Sequence, residues 1–164
     1  MGPTEAVISK RMHPYTRLLL DASPEPDPEI IKPPLEATGE IPSAIEPPNG
    51  CRFHTRCPLA TPQCGWEGRD VKAALDARAT EGSSTKHLGK TTVEGLDIAI
   101  EVSGDVGSAV DELTEIMTQR SPALCQVARI TNRGSKLHIA FDTKPSPPIQ
   151  VLDDGHQVAC VLYQ

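Results

Sequence analysis

The sequence predicts an α+β chain of two lobes: an irregular, proline-rich cysteine-cluster lobe with short helices, and a small inserted βαββ lobe. Three observations carry this. Twelve of the sixteen prolines lie in residues 1–62, which starves that part of regular sheet, because proline donates no ladder hydrogen bond. Residues 92–141 switch from a two-residue to a helical apolar period and back, the pattern of a sheet with one helix on it. Cys51, Cys57 and Cys64 share one short stretch, and Cys160 stands near the end of the chain.

The elements follow in order. Residues 3–12 form a short helix opened by Pro3, a residue suited to the first helical turn. His13-Pro14 interrupts it, and a second helix runs over 14–22, with Tyr15, Leu18 and Leu19 on one face. Residues 23–50 are mostly extended. The cysteine stretch itself has neither helical nor strand periodicity. Residues 70–79 are helical, with Val71, Ala74, Leu75 and Arg78 on one face, and Gly82-Ser83-Ser84-Thr85 is a linker.

Alternation over 92–102 places Leu96, Ile98, Ile100 and Val102 on one strand face, with Asp97, Ala99 and Glu101 opposite. A helix at 105–119 carries the stripe Val106, Ala109, Val110, Leu113, Ile116 and Met117, and Pro122 lies just past its end. Strands near 126–131 and 136–141 complete a three-stranded sheet, and 143–148 is a second linker. The expected organisation is residues 1–66 with 149–164 as the cysteine lobe, 67–91 as helix and linker, and 92–142 as the inserted lobe.

Composition excludes several classes. The net charge is −6, whereas nucleic-acid-binding domains carry a basic face. The longest fully aliphatic run is Leu18-Leu19-Leu20, against the roughly 20 apolar residues of a membrane span. The N-terminus shows no signal-peptide pattern, so a soluble, cytosolic chain is expected. In a reducing compartment, five cysteines argue for metal or cluster binding over disulfides. There is no Ser/His/Asp set, paired-carboxylate motif or H-E-x-x-H pattern. Ser84-Thr85-Lys86-His87-Leu88-Gly89-Lys90-Thr91 approximates a phosphate-binding loop, but a linker precedes it and a strand follows, the wrong context for phosphate contacts.

The spacing C-x5-C-x6-C plus a distant cysteine is the main chemical signal. Its gaps are wider than the two to four residues usual for structural zinc and suit a loop wrapping an iron–sulfur cluster, which thiolates commonly hold in fours. Ordinary reduced cysteines remain the alternative. Arg52, His54 and Arg56 flank the thiols, and their charge is expected to lower the thiol pKa values. His13 or His156 is a further ligand candidate, though each reads more simply as a turn or packing histidine. Cys125 reads as a small buried hydrophobe.

Four segments in order, Met12-His13-Pro14-Tyr15-Thr16-Arg17-Leu18-Leu19, Gly39-Glu40-Ile41-Pro42-Ser43, Pro47-Pro48-Asn49-Gly50-Cys51-Arg52-Phe53-His54-Thr55-Arg56-Cys57-Pro58 and Gly155-His156-Gln157-Val158-Ala159-Cys160, resemble the C-terminal region of ATP-binding subunits of oligopeptide/dipeptide ABC transporters. The resemblance covers residues 2–66 and 149–162. It implies a tail appended to an ATPase that drives peptide import, with Cys51, Cys57, Cys64 and Cys160 holding a 4Fe–4S cluster or, alternatively, structural zinc. It implies an ATPase core and permease subunits as partners, and a cytoplasmic place at the inner face of the membrane.

The chain shows no nucleotide-binding core of its own, so it reads as a detached tail that is not an enzyme. A stand-alone metal-binding or redox-sensing protein is the other reading. Residues 65–159 separate the third and fourth cysteines, where the family has a short spacer. The acidic βαββ insertion within them reads as a docking or homodimer module, or as a solvated decoration.

Overall fold

The computed structural model describes residues 1–24, 27, 29, 41–82, 85–141, 147 and 149–163. Most of the two expected linkers, and much of the extended stretch 23–50, lie outside them. The chain divides into two compact units, Met1–Cys64 with Ser146–Gln164, and Gly65–Pro145.

The first unit is built from short elements. Helix α1 spans Thr4–Ser9 and buries none of its residues. Helix α2 spans Pro14–Asp21, with His13 as its N-cap and Pro14 in the first turn. The expected apolar face of α2 is not a core face: Tyr15 and Leu19 are exposed, and only Pro14 of the helix is buried. The cysteine stretch folds into two 3-10 turns, His54–Arg56 and Pro62–Cys64, structure that no apolar period announces.

The last segment of this unit includes a small hairpin of two strands whose numbers come after the sheet strands below. It pairs Gln150 with Val158 and Val151 with Gln157, closing at Gly155, whose φ of +74° favours glycine. Tyr163 donates its hydroxyl to the Met12 carbonyl at 2.6 Å and accepts from Arg17 at 3.0 Å. Lys10 pairs with Asp154 at 2.7 Å. These contacts tie the C-terminal segment to the helices at the start of the chain.

The second unit begins with α3, Gly68–Thr80. Its N-terminus is fixed by Asp70, whose carboxylate accepts the Glu67 N–H at 2.8 Å. Val71, Ala74 and Leu75 form the buried face, as the helical period predicts. Strands β1, Leu88–Glu94, and β2, Asp97–Val102, form a hairpin turning at Gly95 (φ +65°). Helix α4, Val106–Arg120, is capped by Asp105, which accepts from Ser108 N–H at 2.7 Å, and buries Ala109, Leu113, Ile116 and Met117. Helix α5, Pro122–Val127, follows, then β3, Arg129–Arg133, and β4, Lys136–Ala140. In the first unit, Gln150–Val151 is β5 and Gln157–Val158 is β6.

The sheet is four-stranded and antiparallel, in the order β1-β2-β4-β3, rather than three-stranded. The single strand expected over 92–102 is the end of β1, a turn and β2. Thr91 and Thr92 precede Gly95, and the sparse apolar residues of β1 hide an edge strand from periodicity. Ile98 faces Ile139 and Ile100 faces Leu137 across β2 and β4, and all four are buried. Ala99, on the face opposite Ile98 and Ile100, is also buried, between Thr92 and His138 in register.

The strand expected at 126–131 starts later, because Ser121-Pro122 caps and opens α5: Ser121 accepts the Ala123 N–H at 3.3 Å. Helix α3 packs on β1 and β2, so it is part of the sheet unit and not a connector. The Gly68 N–H donates to the Leu96 carbonyl at 2.5 Å. A Cβ on Gly68 would stand 2.6 Å from the Asp97 carbonyl oxygen, so only glycine fits there without a backbone shift. Lys90 and Thr91 lie inside β1, so no helix N-terminus is available there for a phosphate.

Candidate metal centre

The thiol segment gets its shape from backbone bonds rather than from apolar packing. His54 N–H donates to the Cys51 carbonyl at 3.0 Å, Cys57 N–H to His54 at 3.2 Å, and Cys64 N–H to Thr61 at 3.1 Å. The Cys51 N–H reaches the Cys64 carbonyl at 2.8 Å and closes the stretch on itself. The His54 ring, 1% exposed, places Nδ1 at 2.6 Å from the Cys51 carbonyl oxygen and so donates there. Thr61 N–H points at Cys64 Sγ at 3.3 Å.

One partly open cavity in this unit is lined by Cys51, Cys57, Cys64 and Cys160 together, with His13 and His54 beside them and Pro14, Leu59 and Val161 among the apolar walls. Cys160 comes to it on the segment after β6, held by the Tyr163 contacts described above. Cys125 lies on α5 in the other unit. It is half-buried rather than buried, a correction to its reading as a small buried hydrophobe. His156 is 4% exposed and, among the described residues, its Nδ1 has no hydrogen-bond partner, but it does not line the cavity.

The electrostatics differ from expectation. Burial pushes the Cys57 thiol up to about 11, and neighbouring thiols add to the rise. Burial likewise raises Cys51 and Cys160. The flanking arginines do not reverse this. Arg52 is exposed, and the Arg56 guanidinium sits 6.0 Å from the centre of the Phe53 ring. The cation that favours a thiolate is Arg17, which acts on Cys160. Arg17 belongs to a helix far away in sequence, so no local charge pattern marks it.

The donor set is four soft thiols in a wall of sulfur and apolar carbon, chemistry suited to thiophilic metals and clusters. Among the described residues, no three His, Cys, Asp or Glu side chains are grouped tightly enough for one metal ion. A single tetrahedral zinc with Zn–S bonds of about 2.3 Å needs closely drawn thiols. His13 accepts the Tyr15 N–H on Nδ1 at 3.0 Å as the cap of α2. Burial, with the charge of the chain's amino terminus, lowers its pKa.

The comparisons with known proteins meet this geometry on the cysteine lobe. Residues 1–64 match the family model for the oligopeptide/dipeptide transporter, C-terminal region. The chain is 44% identical over 78 residues to the di/tripeptide transport ATP-binding protein DppF of Pseudomonas aeruginosa, covering 48% of this chain and 24% of that protein. It is 48% identical over 68 residues to the oligopeptide transport ATP-binding protein OppF of Escherichia coli, covering 39% of this chain and 20% of that protein. The chain thus spans about a quarter or less of the length of these relatives. No solved structure matches it. Among the described residues, no helix is long and apolar enough to cross a membrane. Over residues 1–64, the chain is similar to the C-terminal region of oligopeptide/dipeptide transporters.

Proposed function

We propose that this chain acts as the C-terminal region of an ATP-binding subunit of a peptide importer, in the cytoplasm against the permease, and that Cys51, Cys57, Cys64 and Cys160 hold a 4Fe–4S cluster. One observation carries the cluster reading: all four thiols singled out by the resemblance line one cavity. The names of the relatives support the transporter reading, since they are ATP-binding proteins of dipeptide and oligopeptide transport.

The cluster would take three thiolate bonds from residues 51–64 and one from Cys160, and so tie that stretch to the C-terminal segment. The chain's own part is to present the thiols, exclude water with Pro14, Leu59 and Val161, and release the thiol protons. Burial holds the protons of Cys51, Cys57 and Cys160 on in the metal-free chain, so loading displaces them and is favoured by rising pH. The role is structural: the bonds replace a core that the proline-rich segment lacks.

The test is anaerobic reconstitution with iron and sulfide. The expected result is a brown protein with a broad absorbance near ~400 nm and about four irons per chain. Cys57→Ser should lose the colour, whereas Cys125→Ser should keep it. A colourless chain that takes up one zinc instead supports structural zinc, and uptake of neither metal overturns the reading.

A further inference from the structure

We infer that His13 is a fixed hydrogen-bond donor to the Cys51 sulfur, positioned by the cap of α2, and not a metal ligand. For the loaded form, this rests on the cluster reading above; for the metal-free chain, it stands by itself.

A neutral imidazole carries one N–H. His13 Nδ1 accepts the Tyr15 N–H at 3.0 Å, the N-cap bond of α2, so Nδ1 bears the lone pair and the proton sits on Nε2. That Nε2 lies 3.9 Å from Cys51 Sγ, at the long end for a sulfur acceptor. Both nitrogens are thereby committed, one as acceptor from the backbone and one as donor toward sulfur, and neither has a lone pair to give a metal.

The ring cannot easily turn to change this. Pro14, buried, follows it in the first turn of α2. The Phe53 ring lies beside it at 6.3 Å and 56°, and Tyr15 closes on Phe53 at 5.3 Å. The helix cap therefore doubles as an orienting device for the thiol site. A thiolate bound to iron keeps lone pairs and negative charge, and an N–H aimed at it favours the more negatively charged, reduced state.

The variant that separates the two roles is His13→Asn. An asparagine oxygen caps a helix as well as the histidine nitrogen does, but its side chain is too short to reach Cys51. In the metal-free wild type, ¹⁵N spectra should show the His13 ring with its proton on Nε2. In Cys51→Ala, exchange of that proton should quicken several-fold while the Tyr15 amide stays protected. A ring protonated on Nδ1 overturns the inference.

In the iron–sulfur-reconstituted chain, His13→Asn should lower the midpoint potential by about 59 mV, a tenfold change in the reduction equilibrium for one electron. An unchanged potential at full iron content overturns the donor role. If the wild type takes up no iron, the cluster reading fails, and the ring tautomer still decides this inference. Should His13→Asn fail to fold, the spectra of the wild type decide it as well.

Discussion

The two units of this chain are held together by different means. Among the described residues, the sheet unit buries Ile98, Ile100, Leu113, Leu124, Leu137 and Ile139 almost completely, along with several smaller side chains. Among the described residues of the cysteine unit, the buried hydrophobic ones are Phe53, Cys64, Val158 and Cys160, and two of those are thiols. Its helices leave Tyr15 and Leu19 exposed. A unit with a continuous apolar core needs no other fastening, whereas one that buries so little is short of folding free energy. The same physics that makes the first unit poor in core makes metal–thiolate bonds valuable there.

The sharpest way to test this difference is to damage the sheet unit's core. Leu113 is fully buried on α4, and Leu113→Ala removes its packing and leaves a cavity, a loss of about 2–5 kcal/mol. Hydrogen exchange should then show earlier opening of β2, β4 and α4, with protection of residues 51–64 unchanged. If both sets of amides lose protection together, the two units form one cooperative body and the contrast collapses.

A smaller effect is expected at Gly68. An added Cβ meets the Asp97 carbonyl at 2.6 Å, and backbone atoms cannot rotate away as a flexible side chain would. Gly68→Ala should cost about 1–3 kcal/mol as an overpacked contact, read as a lower denaturation midpoint of the sheet unit at unchanged slope. An unchanged midpoint would mean that the turn carrying Leu96 and Asp97 yields freely to α3.

How much was legible in the sequence follows the same division. The stripe on α4 could be read because a core face repeats at helical spacing, and Ala109, Leu113, Ile116 and Met117 are indeed buried. Ile98 and Ile100 were readable for the same reason. β1 was not, because an edge strand with Lys90, Thr91 and Thr92 has no apolar face to count; Gly95 was the overlooked turn signal. α5 is written in Ser121-Pro122, a cap and a first-turn residue, where Pro122 alone reads as the end of α4.

In the cysteine unit, periodicity had nothing to report. The spacing of the four cysteines suggests a shared site but also allows ordinary reduced thiols, and the resemblance points to the same four. Arg17 and the contact of His13 with Cys51 could not be seen at all, since they act across the fold on thiols more than thirty positions away.

The smallest effect is a pH dependence of the metal-free cysteine unit. The ordinary thiol value is 9.0, and burial raises Cys57 to about 11 in the folded chain; Cys51 and Cys160 are raised too. Above pH 9 the unfolded chain releases these protons while the folded one keeps them, so the unfolded state binds fewer protons and stability falls as pH rises. The stabilisation is fully present below pH 9 and is lost progressively toward pH 11. Because Cys57 is only half-buried, solvent screening keeps the effect modest. Lys10, raised by its bond to Asp154, adds its own loss only above 10.5. Thermal melts of the unit from pH 7 to 11 should therefore slope downward from pH 9, and Cys57→Ser should flatten that slope between 9 and 10.5. With a cluster bound, the thiols hold no protons to lose, and the slope should vanish. A wild-type profile that is flat in the metal-free chain would mean that these thiols are as accessible to water as unfolded ones, and the cavity would lose its claim to be a prepared site.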